Sequence, residues 1–234
     1  MIQTRRERIR ISTSDEIKST AWRQIGELGA ASLSLRAIAR EMGMTAPGLY
    51  RYYADRDALV TALLIDAFDS FSATLESARD AHPAGDHAGR FLAIGRAYFQ
   101  WGTANPQKYL FLFGTPIPGY QFSGEVGPSA QRSFLVLQGV LGEAAAAGKL
   151  SGADSALGLP ASLQSQYEML GQYGMPYTPE VTHLALTVWA VIHGITSLHL
   201  YNYLAGFLGG QMGAFIDHEL EKLSHQLGLS QENP

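Results

Sequence analysis

The sequence predicts an all-α fold, and three observations carry that reading. Apolar residues recur at three- and four-residue spacings, as in Ile17, Ala21, Ile25 and again in Leu59, Leu63, Ala67, which is the period of one helix face. No segment alternates apolar and polar residues over the length of a strand. Helix-start residues precede the periodic runs and glycines follow them, as Ser34 and Gly43 bracket Leu35–Met42.

The elements follow in chain order. Thr13 and Glu16 have capping-box spacing, so a first helix is expected from there. Its buried stripe would be Ile17, Ala21, Trp22, Ile25 and Leu28, with Gly29 as its stop. Ser34 caps a second helix whose inner face is Leu35, Ile38, Ala39 and Met42. Gly43 makes a sharp turn, Thr45 caps a third helix, and Pro47 sits in its first turn, where a missing N–H costs nothing. Asp55 caps a fourth helix with Leu59, Leu63, Ala67, Phe68 and Phe71 inward. Beyond a polar break at 80–89, helices are expected over 91–103, from Asn105-Pro106 to Phe113, over 129–147, 162–170 and 213–227. The longest, 179–208, is apolar on several sides, a pattern that packs against neighbours and a partner subunit. The Gly- and Pro-rich stretches 114–128 and 148–160 read as loops.

Composition bounds what such a chain can do. With 234 residues, 46% of them hydrophobic and 16% charged, it can bury one large core or two modest ones. The absence of cysteine excludes disulfides and thiolate metal sites. No uninterrupted apolar run reaches the roughly 18 residues that cross a bilayer. Residues 1–10 are polar and basic where a leader needs an apolar core, so a cytoplasmic protein without a membrane partner is expected.

The net charge of −4 hides an asymmetry. Residues 1–60 carry ten Lys/Arg against seven Asp/Glu, and the rest carries seven against fourteen. Only the first quarter is suited to a polyanion.

That quarter contains helix, glycine turn and helix in the layout of a helix-turn-helix, which sets its second helix in a DNA major groove. The recognition helix is expected over Thr45–Tyr53, exposing Ala46, Pro47, Gly48, Arg51 and Tyr52, with Leu49 and Tyr53 inward. Small residues at its start let the backbone approach the groove floor, and Ala46 can meet a thymine methyl. Arg36 on the supporting helix is the candidate for a bidentate contact to guanine. Tyr50 and Arg56 suit phosphates. The arm carrying Arg5, Arg6, Arg8 and Arg10 would follow phosphates or enter a minor groove.

Residues 14–71 resemble the DNA-binding domain of the tetracycline-repressor (TetR) family. The resemblance rests on Ile38-Ala39, Gly43, Leu49-Tyr50, Tyr53, Arg56 and Leu59. Departures are Gly48 in place of a better helix former, Tyr53 for phenylalanine and Arg56 for lysine. The cluster Trp189-x-x-x-His193-Gly194 resembles the WHG-type C-terminal domain of some members. The resemblance implies residues 1–55 as basic arm and DNA-binding domain, and 56–234 as a helical effector-binding and dimerisation domain. It implies a homodimer on palindromic operator DNA, released by a small-molecule effector; the alternatives are an activator of the same fold, or a helical-bundle enzyme or small-molecule carrier in which the helix-turn-helix is merely structural. Two long apolar helices near the end agree, since they could form an intersubunit four-helix bundle.

Candidate ligand-contacting residues are Tyr98, Trp101, Tyr109, Phe113, Phe134, Gln138, Tyr167 and His193, mostly apolar with a few polar groups as ligand sites are. They suggest a largely apolar or aromatic effector, with Asp66, Asp69 or Glu143 available to a cation. No enzyme is expected: no residues pair for acid–base or nucleophilic work, and no phosphate loop or nucleophile elbow is present. No cofactor or metal is expected, since His193 and His199 are six apart on different helix faces.

Overall fold

A computed structural model describes residues 4–151 and 158–229, with the backbone alone at Tyr173. Eleven α-helices and no strand occur among the described residues. They fall into two compact units. One takes in the described residues of Met1–Phe68 together with Asn105–Pro128; the other takes in those of Asp69–Ala104 and Ser129–Pro234. The division expected after residue 55 thus falls inside the first unit, at the start of a continuous helix.

The first unit opens with α1, Arg5–Leu28. It begins two turns earlier than expected. Thr4, not Thr13, is the cap: its hydroxyl accepts from the Glu7 N–H and the Glu7 carboxylate accepts from the Thr4 N–H at 2.8 Å. Thr4 and Glu7 have the same capping-box spacing as Thr13 and Glu16, and the intervening Arg and Glu residues are strong helix formers. The basic arm is therefore helical rather than extended. Ile17, Ala21 and Ile25 are buried as expected, but Leu28 is 65% exposed, in the last turn before Gly29. Gly29 ends the helix at φ 80.

Helices α2, Leu35–Glu41, and α3, Ala46–Tyr50, follow. The α4 helix, Arg56–Asp80, starts here behind Asp55, whose carboxylate accepts from the Ala58 N–H at 2.8 Å. Leu35, Ile38, Leu49, Leu59 and Leu63 close the core, each burial contributing about 1.5–3 kcal/mol. The α6 helix, Pro106–Phe113, adds Phe111 edge-on to Trp22 at 5.0 Å and Phe113 edge-on to Phe68 at 5.9 Å. The segment 114–126 is non-helical apart from one 3₁₀ turn, and Tyr120 ties it to Thr61 at 2.9 Å.

The second unit contains α5, His87–Ala104; most of α7, Gly127–Ala146; α8, Ala161–Leu170; α9, Pro179–Leu200; α10, Ala205–Leu208; and α11, Met212–Gln226. The expected helix over 179–208 ends eight residues early. Asn202 adopts φ 61, a left-handed conformation that asparagine tolerates and that breaks a right-handed helix. Helix α5 packs on α9 and α11. A Cβ at Gly95 would lie 2.3 Å from the Leu220 side chain, so glycine is what lets α5 and α11 come this close. Of the loop expected over 148–160, residues 152–157 lie outside the described residues, and the remainder is non-helical.

Two helices, Arg56–Asp80 and Pro179–Leu200, are long and apolar enough to meet a length-and-hydropathy criterion for crossing a membrane. Scattered polar residues hide this from a search for uninterrupted apolar runs. Much of the α4 stretch is core, with Leu59, Leu63, Ala67 and Phe71 buried.

Candidate functional site

The turn between α2 and α3 is built by local hydrogen bonds. The Ser34 hydroxyl accepts from the Ala37 N–H at 3.4 Å to start α2. At its end Gly43 takes φ 64, and the Met44 N–H donates to Ala39 O at 2.8 Å. A side chain at 43 would be strained by about 1 kcal/mol. Thr45 then accepts from the Gly48 N–H at 3.2 Å and Pro47 occupies the first turn of α3. Gly48, the departure from a good helix former, has a local reason: a Cβ there would lie 3.1 Å from the Thr45 hydroxyl.

The recognition helix is shorter than expected, ending at Tyr50 before a turn at 51–52. Its inward facing follows the sequence reading, whereas of the five residues expected outward only Pro47 and Arg51 are fully exposed. Leu49 is 0% and Tyr53 8% exposed, and the Tyr53 hydroxyl shares a 2.9 Å hydrogen bond with Ser14. Thr45, Pro47, Tyr50 and Arg51 are exposed, while Ala46, Gly48 and Tyr52 are half-buried. Arg36 is exposed on α2, and so is Arg40 one turn further along. Arg40 was not anticipated, although its i,i+4 spacing from Arg36 puts both on one face.

Arg5, Arg6 and Arg10 on α1 face Gly48, Arg51 and Tyr52 across an open cleft of about 1140 Å³. The acidic residue in its wall, Glu7, is committed to the cap. The Thr4 N–H, then the Thr4 hydroxyl, hold its carboxyl below the usual range. Arg8 points to the other side of α1, near Ser12 and Glu16. Arg56, expected at a phosphate, is bonded within the first unit. Its guanidinium donates to Ala30 O at 3.2 Å and Pro118 O at 3.3 Å and lies 3.7 Å from Asp57. It ties the start of α4 to two loops of the first unit.

In the second unit a nearly enclosed cavity of about 20 Å³ lies among Phe71, Tyr98, Phe134, Trp189 and aliphatic side chains that include Leu137 and Ile192. Tyr98 and Phe134 were expected at a ligand site. His193 stands behind Tyr98: the Tyr98 hydroxyl lies 3.1 Å from Nδ1, Ser197 lies 3.4 Å from Nε2, and Trp189 stacks on the ring at 5.0 Å. Burial pushes the His193 imidazole pKa below its ordinary value, which favours the neutral form.

The other expected ligand residues lie elsewhere. Trp101 packs on Phe71 at 4.8 Å and donates to Ser70 at 3.3 Å. Gln138 donates to Thr182 at 2.8 Å, and its carbonyl has no partner among the described residues. Tyr167 lies 3.3 Å from His183. Tyr109 and Phe113 belong to the first unit, 5.1 Å apart. The suggested cation-holding acids are engaged: Asp66 with Lys18 at 2.6 Å, Asp69 with Arg132 at 3.6 Å, and Glu143 with Arg90. Phe71, read from sequence as core, and Trp189, read only as part of a motif, are the cavity residues that periodicity could not separate from packing.

Residues 17–63 match the family described as bacterial regulatory proteins, tetR family. Residues 91–223 match the tetracyclin repressor-like C-terminal domain. The chain is 36% identical over 199 residues to the HTH-type transcriptional regulator Rv1816 of Mycobacterium tuberculosis, covering 82% of this chain and 79% of that protein. The chain belongs to the TetR family. A counterpart in Mycobacterium bovis, Mb1846, has the same identity and coverage. Among solved structures, the regulatory protein SCO4313 superposes with a TM-score of 0.76 at 33% identity, covering 94% of this chain and 98% of that one. A Rhodococcus protein of unknown function shares the fold, with a TM-score of 0.70 at 22% identity over 92% of this chain and 95% of that one. This TetR-family chain is accordingly a DNA-binding transcriptional regulator rather than an enzyme, with a helix-turn-helix at α2–α3 and a helical C-terminal domain.

Proposed function

We propose that this regulator is a cytoplasmic homodimeric repressor that reads a palindromic operator and is released by a small-molecule effector. The observation that carries the reading is the cluster of exposed arginines around α2 and α3. Arg5, Arg6, Arg10, Arg36, Arg40 and Arg51 have no carboxylate partner among the described residues, so their charge is available to a polyanion. Arg36 and the start of α3 read base edges; Tyr50, Arg51 and the arginines of α1 take phosphates. Arg8, on the opposite side of α1, reaches a neighbouring phosphate only if DNA wraps that helix. Arg56 contributes by fixing α4 rather than by contact.

Helix α9 supports the dimer. Only about a third of its most apolar stretch is buried, which leaves apolar surface for a second copy. The division of labour is between a DNA-reading head over residues 1–55 and an effector-binding, dimerising body over 56–234. An effector that prefers a dimer geometry with the wrong head spacing lowers operator affinity by its differential affinity for the two states.

Footprinting on DNA flanking the protein's own coding region tests this. The expected result is protection of two half-sites roughly 34–36 Å apart. Absence of sequence-selective protection at every salt concentration overturns the reading.

A further inference from the structure

We propose that the cavity of the second unit is the site of an uncharged, mainly aromatic or alicyclic molecule, closed in this structure and entered by displacement of Phe134 and Trp189. The inference rests on the effector-responsive reading and gives that effector a chemical class.

The chemistry of the wall sets the class. Among the described residues no carboxylate, lysine, arginine or histidine lines the cavity; the polar groups they contribute are the Tyr98 and Ser133 hydroxyls and the Trp189 indole. The charges nearest in sequence are engaged with other charges: Arg132 donates to Glu76 at 2.7 Å and lies 3.6 Å from Asp69, and Arg96 pairs with Asp217 at 2.6 Å. His193 stands behind Tyr98 rather than on the wall, and its burial disfavours the charged form. An ionic ligand would lose its hydration here with nothing opposite to replace it. A neutral ring system would meet Phe71, Tyr98, Phe134 and Trp189, whose faces and edges suit aromatic stacking.

The geometry sets the entry route. About 20 Å³ is room for a single water, so any organic ligand must move a wall. Phe71, Ile94, Leu137 and Ile192 are at most 5% exposed. Phe134 and Trp189 are the half-buried lining residues. They are the least buried of the wall, so displacing them unpacks less of the core than displacing any other lining side chain, as in a pocket that is a minor conformation until a ligand selects it. Turning Trp189 outward also breaks its stack on His193, which makes the imidazole a reporter of occupancy.

The test uses the full chain and one ring system in three charge states: 1-naphthol, 1-naphthoate and protonated 1-naphthylmethylamine, each titrated calorimetrically at pH 7. Naphthol is expected to bind at least about ten-fold more tightly than either ion and to shift the His193 ring resonances. Leu137→Trp, which fills the cavity, is expected to weaken naphthol binding at least ten-fold; Ser133→Leu serves as a second filling variant should the first not fold. Equal affinity for the ions, no binding of any of the three, or unchanged naphthol affinity in a folded filled variant overturns the inference. Operator retardation on the same preparation separates the two readings. Naphthol binding without DNA binding removes the regulator reading alone, whereas DNA binding without naphthol binding removes this inference alone.

Discussion

The arginines of the two units are used in opposite ways. In the second unit each described arginine has a carboxylate: Arg79 with Asp80, Arg90 with Glu143, Arg96 with Asp217, Arg132 with Glu76. In the first, Arg23 and Arg56 are paired, but Arg5, Arg6, Arg8, Arg10, Arg36, Arg40 and Arg51 are exposed with no ion pair among the described residues. Arginine in one place closes a fold and in the other waits for a partner outside it. Unpaired like charges gathered on one surface repel each other and add nothing to stability. Their concentration around the helix-turn-helix is what the proposed contact with DNA calls for.

The sharpest way to break this contrast is to remove one arginine of each kind. Arg36→Ala is expected to lower operator affinity by about 1–3 kcal/mol at each half-site, at unchanged melting temperature. A retardation assay beside a thermal melt reads both. Glu143→Gln is expected to do the reverse, since it leaves the buried Arg90 guanidinium without its carboxylate. Arg90 keeps Ala84 O at 3.1 Å and Glu143 is half exposed, so the loss is about 1–3 kcal/mol of stability, read by urea denaturation, with operator affinity preserved.

Much of this was legible in the sequence because it is local. The caps at Ser34, Thr45 and Asp55 and the left-handed Gly43 are set by residues within a few positions of one another. The facing of Leu49 and Tyr53 follows from helical period alone. What failed to show needed long-range information. Thr4 and Thr13 offer the same capping-box spacing, and only the continuous helix through both selects Thr4. Arg56 resembled a phosphate ligand until Ala30 O and Pro118 O, 26 and 62 residues away, came within reach. Tyr109 and Phe113 have the composition of a pocket wall, yet they fold into the first unit while the cavity forms in the second.

Two smaller effects sharpen the comparison. Thr45→Ala removes the α3 cap and is expected to cost about 1 kcal/mol of stability. It should also weaken operator binding, because the cap fixes the helix that meets the groove; no comparable cap change on α9, Thr178→Ala, should touch DNA affinity directly. His193 gives a pH effect confined to the second unit. Its folded-state pKa is depressed from 6.5 by burial, so the unfolded chain takes up a proton first as pH falls. Stability is then full above about pH 6.5 and declines as pH drops towards the folded value. Denaturation across this range should show the decline in the wild type and a flatter profile in His193→Gln.

The salt dependence of DNA affinity tests the central claim most directly. Affinity for DNA flanking the coding region should fall linearly on a logarithmic salt scale. The joint replacement of Arg5, Arg6 and Arg10 by alanine should make the slope shallower by about 0.9 for each phosphate no longer neutralised, whereas Arg96→Ala in the second unit should leave it unchanged. Equal slopes for the wild type and the arginine-depleted head, or a change produced as strongly by Arg96→Ala, would contradict the account.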